Sequence, residues 1–208
     1  MSCSELTEPK ILVALVANNL HWQALEAAYK LSDSFNKEIR VFSGYHCGQC
    51  RTEAVHHAKA LAYNFSHILF LDGDNIIPSH GLSQLYNTMQ QLNADIVSGI
   101  YRMDVDTNRA NFSLPIESQD QEPWSVTHQW CMDINSVRGG DSPIRVQSHG
   151  FGCALADVNT FHKMEFPWFM FTESDNEDTF FYTKARQLGL KGYIDPRVYA
   201  QHIRQIII

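Results

Sequence analysis

No stretch of the chain approaches the ~20 consecutive apolar residues that a membrane-spanning helix requires, so no integral membrane segment is expected. The opening residues, Met1-Ser2-Cys3-Ser4-Glu5-Leu6-Thr7-Glu8, lack the basic-then-apolar layout of a secretory signal, and a cytoplasmic location is the default expectation. Cysteine is sparse and odd in number: five in 208 residues, in a chain long enough to bury a core unaided, fit reduced thiols better than a disulfide framework. Positive charge is also short, with 16 Lys and Arg against 23 Asp and Glu for a formal charge of −7. That balance argues against a nucleic-acid partner held through phosphate neutralisation. Internal repeats and low-complexity tracts are absent. What these absences leave is one soluble globular domain over 1–208, 44% of it hydrophobic.

What is present is an alternation of two periods. Residues 11–17 are continuously apolar and stop at Asn18-Asn19, which predicts a parallel strand covered on both faces. Leu20, Ala24, Ala28 and Leu31 then recur at helical spacing, with Asp33 and Asn36 as stop signals before a strand at 39–42. A second helix is expected from Arg51 through Ala54, Val55, Ala58, Leu61, Ala62 and Phe65, a strand at 67–71, a helix through Leu82, Leu85, Met89 and Leu92, and a strand at 94–101. Strands alternating with helices of this length imply right-handed crossovers and a twisted, mostly parallel α/β sheet. After Tyr101 the pattern breaks into short pieces, such as 125–127 and 144–146, with loop signals at Gly139-Gly140-Asp141-Ser142-Pro143 and Gly150-Phe151-Gly152. A helical pattern returns at Asp178, Phe181, Ala185 and Leu188, ends at Gly189, and leads to a last strand at 192–194.

In open α/β sheets ligands bind beyond the carboxyl ends of the strands. The places to inspect are therefore Asn18-Asn19, Ser43-Gly44, Asp72-Gly73-Asp74-Asn75 and Arg102. The strongest is Leu69-Phe70-Leu71-Asp72-Gly73-Asp74-Asn75: two carboxylates two residues apart, with Gly73 turning the chain between them, suit Mg²⁺ or Mn²⁺ shared with substrate phosphates. An ordinary acidic turn has the same composition, with a loop continuing through Pro78.

With its Asp-x-Asp after two strand-helix units, the chain resembles the GT-A fold of nucleotide-sugar-dependent glycosyltransferases, particularly the family 2-like group, over about 11–202. Arg51 matches an Arg that faces the nucleotide in these enzymes, and 94–101 their next strand. Ser148-His149-Gly150-Phe151-Gly152-Cys153-Ala154-Leu155 is similar to the glycine-containing strand under the acceptor, Glu177-Asp178 to the acidic acceptor-side motif, and His202 to a third metal ligand. The resemblance implies a Rossmann-like nucleotide-binding half at about 11–102 and an irregular acceptor-binding half at about 103–202.

It further implies a hexosyl transfer, inverting in outcome, from a UDP- or GDP-sugar to a hydroxyl of a glycan, lipid or protein. Asp72, Asp74 and His202 would hold a divalent cation, or Asp72 the ribose; Asn18, Arg51 and Gly73 would line the donor site; Gly150, Phe151, Gly152, Glu177 and Trp168 would line the acceptor site. Asp178 is the candidate base, against the alternative of a first-turn acid stabilising its helix by ~0.3–1 kcal/mol. One departure is that Ser43-Gly44-Tyr45 offers no carboxylate for the nucleobase, leaving Asn18 and Asn19 to supply hydrogen bonds.

Other readings compete. The same Asp-x-Asp resembles the first motif of the haloacid dehalogenase-like phosphohydrolases, although Ile76 stands where they carry Thr or Val and two strands come before the motif. A non-catalytic nucleotide- or sugar-binding module is the third. Cys47-Gly48-Gln49-Cys50 ranks first as structural thiols, then as a local metal site with His46, then as a redox pair. The aromatic run 166–171, with Trp124 and Trp130, is expected mostly in the core.

Overall fold

The computed structural model describes residues 8–32, 34–60, 63–103, 108–114, 129–130 and 133–203. Its first half follows the apolar runs: β1 (Lys10–Val16), α1 (Trp22–Tyr29), β2 (Asn36–Phe42), α2 (Cys47–Lys59), β3 (His67–Asp72), β4 (Asn75–Ile76), α3 (Gly81–Leu92) and β5 (Ile96–Ile100). The second half comprises β6 (Phe112–Leu114), β7 (Gln129–Trp130), α4 (Ile134–Val137), β8 (Ile144–Arg145), β9 (Ser148–His149), β10 (Cys153–Asp157), α5 (Val158–Lys163), α6 (Glu177–Gln187), β11 (Gly192–Tyr199) and β12 (Gln201–His202).

The main sheet has seven strands in the order β2-β1-β3-β10-β5-β11-β8. Five of them run in one direction, while β10 and β8 oppose their neighbours. The sheet is thus mostly parallel, as expected. β1 reads as a continuous apolar run because both its faces are covered: Ile11, Val13 and Leu15 pack with α1 and α3, while Leu12, Ala14 and Val16 pack with α2, α5 and α6. The period of two along each strand therefore divides the core into two apolar layers. The second layer carries the heavy aromatic packing, with Phe151 edge-on to Phe70, Phe169 and Phe181.

Several boundaries differ from the sequence reading. α2 starts at Cys47, not Arg51, because His46 caps it, its Nδ1 accepting from the Gln49 N–H at 3.2 Å. The 148–155 strand is two strands, β9 and β10, separated by Gly150-Phe151-Gly152. The expected loop after Asp74 holds β4, which pairs with β12 and carries the Asp74 turn to the His202 strand. β2 and β11 extend beyond the expected 39–42 and 192–194, and β8 is shorter than 144–146. Asp33, Leu61, Ala62, Trp124 and the 125–127 piece lie outside the described residues, as do Met1 to Thr7. No helix among the described residues is long and apolar enough to cross a membrane.

Candidate active site at the end of strand β3

Five strands point their carboxyl ends toward one side of the sheet, where a cleft of about 540 Å³ opens. Val16 to Asn19 line it from the end of β1, Asp72 to Asp74 from β3, His46, Cys47 and Cys50 from the start of α2, and His21 and His202 from flanking segments. Gly73 is needed at the turn: a Cβ there would stand 2.3 Å from that of Ala17. That contact is closer than real Cβ atoms come, so any side chain would push β3 away from β1.

Asp74 and His202 meet in this cleft, with Asp74 Oδ2 2.9 Å from His202 Nε2. Both ring nitrogens face acceptors: Nδ1–H donates to the Arg102 carbonyl at 3.0 Å and orients the ring, and Nε2 donates to Asp74 when the ring carries its second proton. The Ile203 N–H donates to the Asp74 carbonyl at 2.7 Å, fastening the two segments together. Burial works against the charged form of Asp74, but His202, a backbone N–H and His21 together outweigh it and hold the carboxyl below its ordinary value.

Asp72 faces another group. The Arg51 Nη2–H donates to Asp72 Oδ1 at 2.9 Å, and Nη1 serves the two acids that open α6, donating to Glu177 Oε1 and standing 3.5 Å from Asp178 Oδ1. Arg51 is 2% exposed. Expected to face a nucleotide, it is instead the buried counter-ion of three carboxylates, because α2 begins one turn earlier and carries Arg51 inward. The Cys47 S–H donates to the same Glu177 Oε1 at 2.8 Å. Burial pushes the Cys47 thiol up to about 12, so it is a structural donor and not a nucleophile near neutrality.

Asp178 lies in the first turn of α6, whose cap is Asn176, its Oδ1 accepting from the Thr179 N–H at 2.9 Å. Capping is thus done by Asn176. Burial, aided by Glu177 and Asp72 and opposed by Arg51, pushes the Asp178 carboxyl up to about 7. Between Asp72 and Asp178 stands Tyr101, whose Oη accepts from the Gly152 N–H at 3.0 Å. Gly152 has no room for a Cβ, which would lie 2.6 Å from Asn75 Nδ2 and 2.8 Å from Asp72 Oδ2. Asn75 is fully buried, donating to the Gly152 carbonyl at 3.0 Å.

No protein-family model and no curated protein matches the sequence. Solved structures do match. Protein A197 from STIV superposes with a TM-score of 0.65 over 95% of this chain and 86% of its own, at 13% identity. GalNAc-T7, solved with UDP, GalNAc and Mn²⁺, superposes with a TM-score of 0.59 over 98% of this chain, also at 13% identity, and this chain spans 45% of its length. The fold is GT-A-like. At such identity the likeness concerns the backbone alone.

On that backbone, Asp72, Gly73, Asp74, His202 and Asn18 lie at the cleft, with Asn18 Nδ2 turned to the Tyr45 carbonyl at 3.4 Å. Asp178 and Gly150 line a small recess beyond Arg51, together with Met103 and Asn176. Among the described residues no group of three or more His, Cys, Asp or Glu side chains converges as a ready-made metal cage; Asp74 and His202 form a pair, and Asp72 is held by Arg51. Three expected acceptor side chains are closed off: Glu177 is 5% exposed and taken up by Arg51 and Cys47. Trp168 is 3% exposed, with its indole N–H donated to the Met164 carbonyl at 3.0 Å, and Phe151 is fully buried. Phe166, Met170 and Phe171 are the exposed members of that aromatic run, Phe171 lying edge-on to His46. The sequence reading gave no site role to Tyr101 or His21, named Asn75 only as part of the turn and His46 only as partner of a local metal, and missed the hydrogen bond of Cys47. His46 is an unusual cap, and without it α2 has no start signal ahead of Arg51.

Proposed function

We propose that the chain is a metal-dependent glycosyltransferase that moves a hexosyl group, with inversion, from a UDP- or GDP-sugar to a hydroxyl of a glycan, lipid or protein. The observation that carries this reading is the meeting of Asp74 and His202 at 2.9 Å in a cleft at the end of β3, with Asp178 across Arg51 from Asp72. The GT-A-like backbone supports it, as does the UDP, GalNAc and Mn²⁺ of the GalNAc-T7 structure.

Asp74 and His202 fit a Mg²⁺ or Mn²⁺ ion: a carboxylate oxygen and an imidazole nitrogen converge, and such ions take their remaining ligands from phosphates and water. When bound, the ion neutralises charge that builds on the leaving diphosphate. Arg102 keeps His202 aimed through its carbonyl, and Arg51 holds Asp72 at the cleft floor within reach of a ribose hydroxyl. Asp178 takes the proton of the acceptor hydroxyl; a carboxyl at about 7 is part-ionised near neutrality and basic enough to accept it. In this scheme about 11–102 binds the nucleotide and about 103–202 the acceptor.

Calorimetry with UDP and GDP tests the donor half. Affinity is expected to need Mn²⁺ or Mg²⁺ and to lose that dependence in Asp74→Ala, whereas undiminished affinity in chelator would overturn the metal assignment. Hydrolysis of generic phosphate esters without sugar transfer would favour the phosphohydrolase reading, and tight nucleotide binding without turnover a binding module.

A further inference from the structure

A second cavity, of about 300 Å³, lies away from the cleft, where the end of α6 passes β8 and β11 at the edge of the sheet. Its walls include the buried side chains of Val146, Tyr182 and Ala185. Arg145, Arg186 and Gln147 also line it, and no Asp or Glu does. In a chain of charge −7, two guanidiniums around a hollow with no carboxylate in its lining make a local anion-favouring field, which Asp175, acting on Arg186 from outside the lining, offsets only in part.

Neither arginine forms an ion pair with a described residue. Arg186 Nη2 donates to Thr183 Oγ1 at 3.3 Å, whereas Nη1 is buried with no hydrogen-bond partner. Leaving a buried charged donor unmatched is costly, so such a group calls for an acceptor from outside the chain. The Lys184, Ala185 and Arg186 carbonyls at the end of α6 are already satisfied, Lys184 by the Leu188 N–H at 3.2 Å. Gly189, at φ +68°, closes the helix, its N–H donating to the Arg186 carbonyl at 2.9 Å and that of Leu190 to the Ala185 carbonyl at 3.0 Å.

We propose that this cavity binds a phosphate group, free or as the monoester of a small polyol, with Arg145 and Arg186 gripping the oxyanion and the Tyr182 wall supporting the carrier. The site stands independently of what the cleft over β3 does. The test is a titration of the full chain, followed through its backbone amides by NMR, with sodium phosphate and separately with glycerol 3-phosphate, ionic strength being held with chloride.

Saturable shifts are expected at Gly189 and Gly192, with Kd raised about tenfold or more in Arg145→Gln and in Arg186→Gln, and unchanged in Asp74→Ala. Tighter binding of glycerol 3-phosphate would assign the monoester, and equal or tighter binding of phosphate the free ion. Shifts centred on Gly73, no saturation, or an unchanged Kd in the arginine variants would overturn the proposal. So would a single-stranded RNA oligonucleotide that occupies the same amides more tightly than either small anion. Should Arg186→Gln not fold, the exposed Arg145→Gln carries the same comparison.

Discussion

Asp178 separates a catalytic from a structural account of the helix start, because the cap of α6 is Asn176. Asp178→Asn is expected to leave donor affinity nearly unchanged while cutting kcat for transfer by about two orders of magnitude or more. The wild-type rate should rise with pH through about 7, the value of the deprotonation that makes the base. Stability should move the other way: the folded carboxyl binds its proton more tightly than the unfolded one, so folding is penalised above about 7 and relieved as pH falls toward the ordinary carboxyl value. Asp178→Asn should therefore melt no lower than wild type at pH 8, a combination that melting curves and initial rates detect and a helix-stabilising acid would not give. Cys47 invites a second comparison: Cys47→Ser keeps a donor to Glu177, whereas Cys47→Ala leaves Glu177 Oε1 to Arg51 alone and should lose ~0.5–1.5 kcal/mol in urea denaturation. The carboxylates of this site were legible in the sequence because Asp-x-Asp and Glu-Asp follow or open regular elements. The duty of Arg51 was not, since which way a helical residue faces depends on where its helix begins.

Elements whose apolar period was strong were read within a few residues, as with β1, β3, α3 and β5. The irregular half was harder, because its short strands are specified by partners and not by their own pattern. β9 and β10 illustrate this: one apolar stretch is cut in two by a Gly152 that must approach Asp72, Asn75 and Tyr101. Gly152→Ala is expected to destabilise the fold by ~1–3 kcal/mol through overpacking, measurable by denaturation, while disturbing the cleft floor. β11 and α3 are joined by Asp195, which is fully buried. Its Oδ2 accepts from Thr88 Oγ1 at 2.6 Å and Gln84 Nε2 at 3.0 Å, and its Oδ1 from Arg197 Nε at 2.8 Å. Asp195→Ala strands the buried Thr88 hydroxyl, while the exposed Arg197 stays solvated, and should cost about 1–3 kcal/mol in chemical denaturation at neutral pH. Burial opposes the Asp195 charge, but these hydrogen bonds hold its carboxyl below the ordinary value. The contribution is therefore present above the unfolded value and lost as pH falls through the folded one.

At the scale of the molecule, acid should unfold the chain partly through His149. Its Nδ1–H donates to the Gly150 carbonyl at 2.9 Å, leaving Nε2 to accept from the Tyr182 hydroxyl. Burial holds this imidazole down at about 4, while the unfolded ring titrates near 6.5. Stability is thus retained above that value and falls between about 6.5 and 4, by about 3 kcal/mol at most from this group. Denaturant titrations across that range in Asp178→Asn, where the opposing carboxyl is gone, should expose the slope.

The position of β10 has a consequence for the order in which the chain can become a protein. Residues 153–157 form the strand that joins β3 to β5, so during synthesis the first hundred residues offer two strand edges with nothing between them. Until that late segment leaves the ribosome, both edges are open templates for pairing with other chains. The growing polypeptide is therefore exposed at both these edges while residues 101–152 are made; one five-residue insertion closes them, and the far edge of β5 stays open until β11 follows.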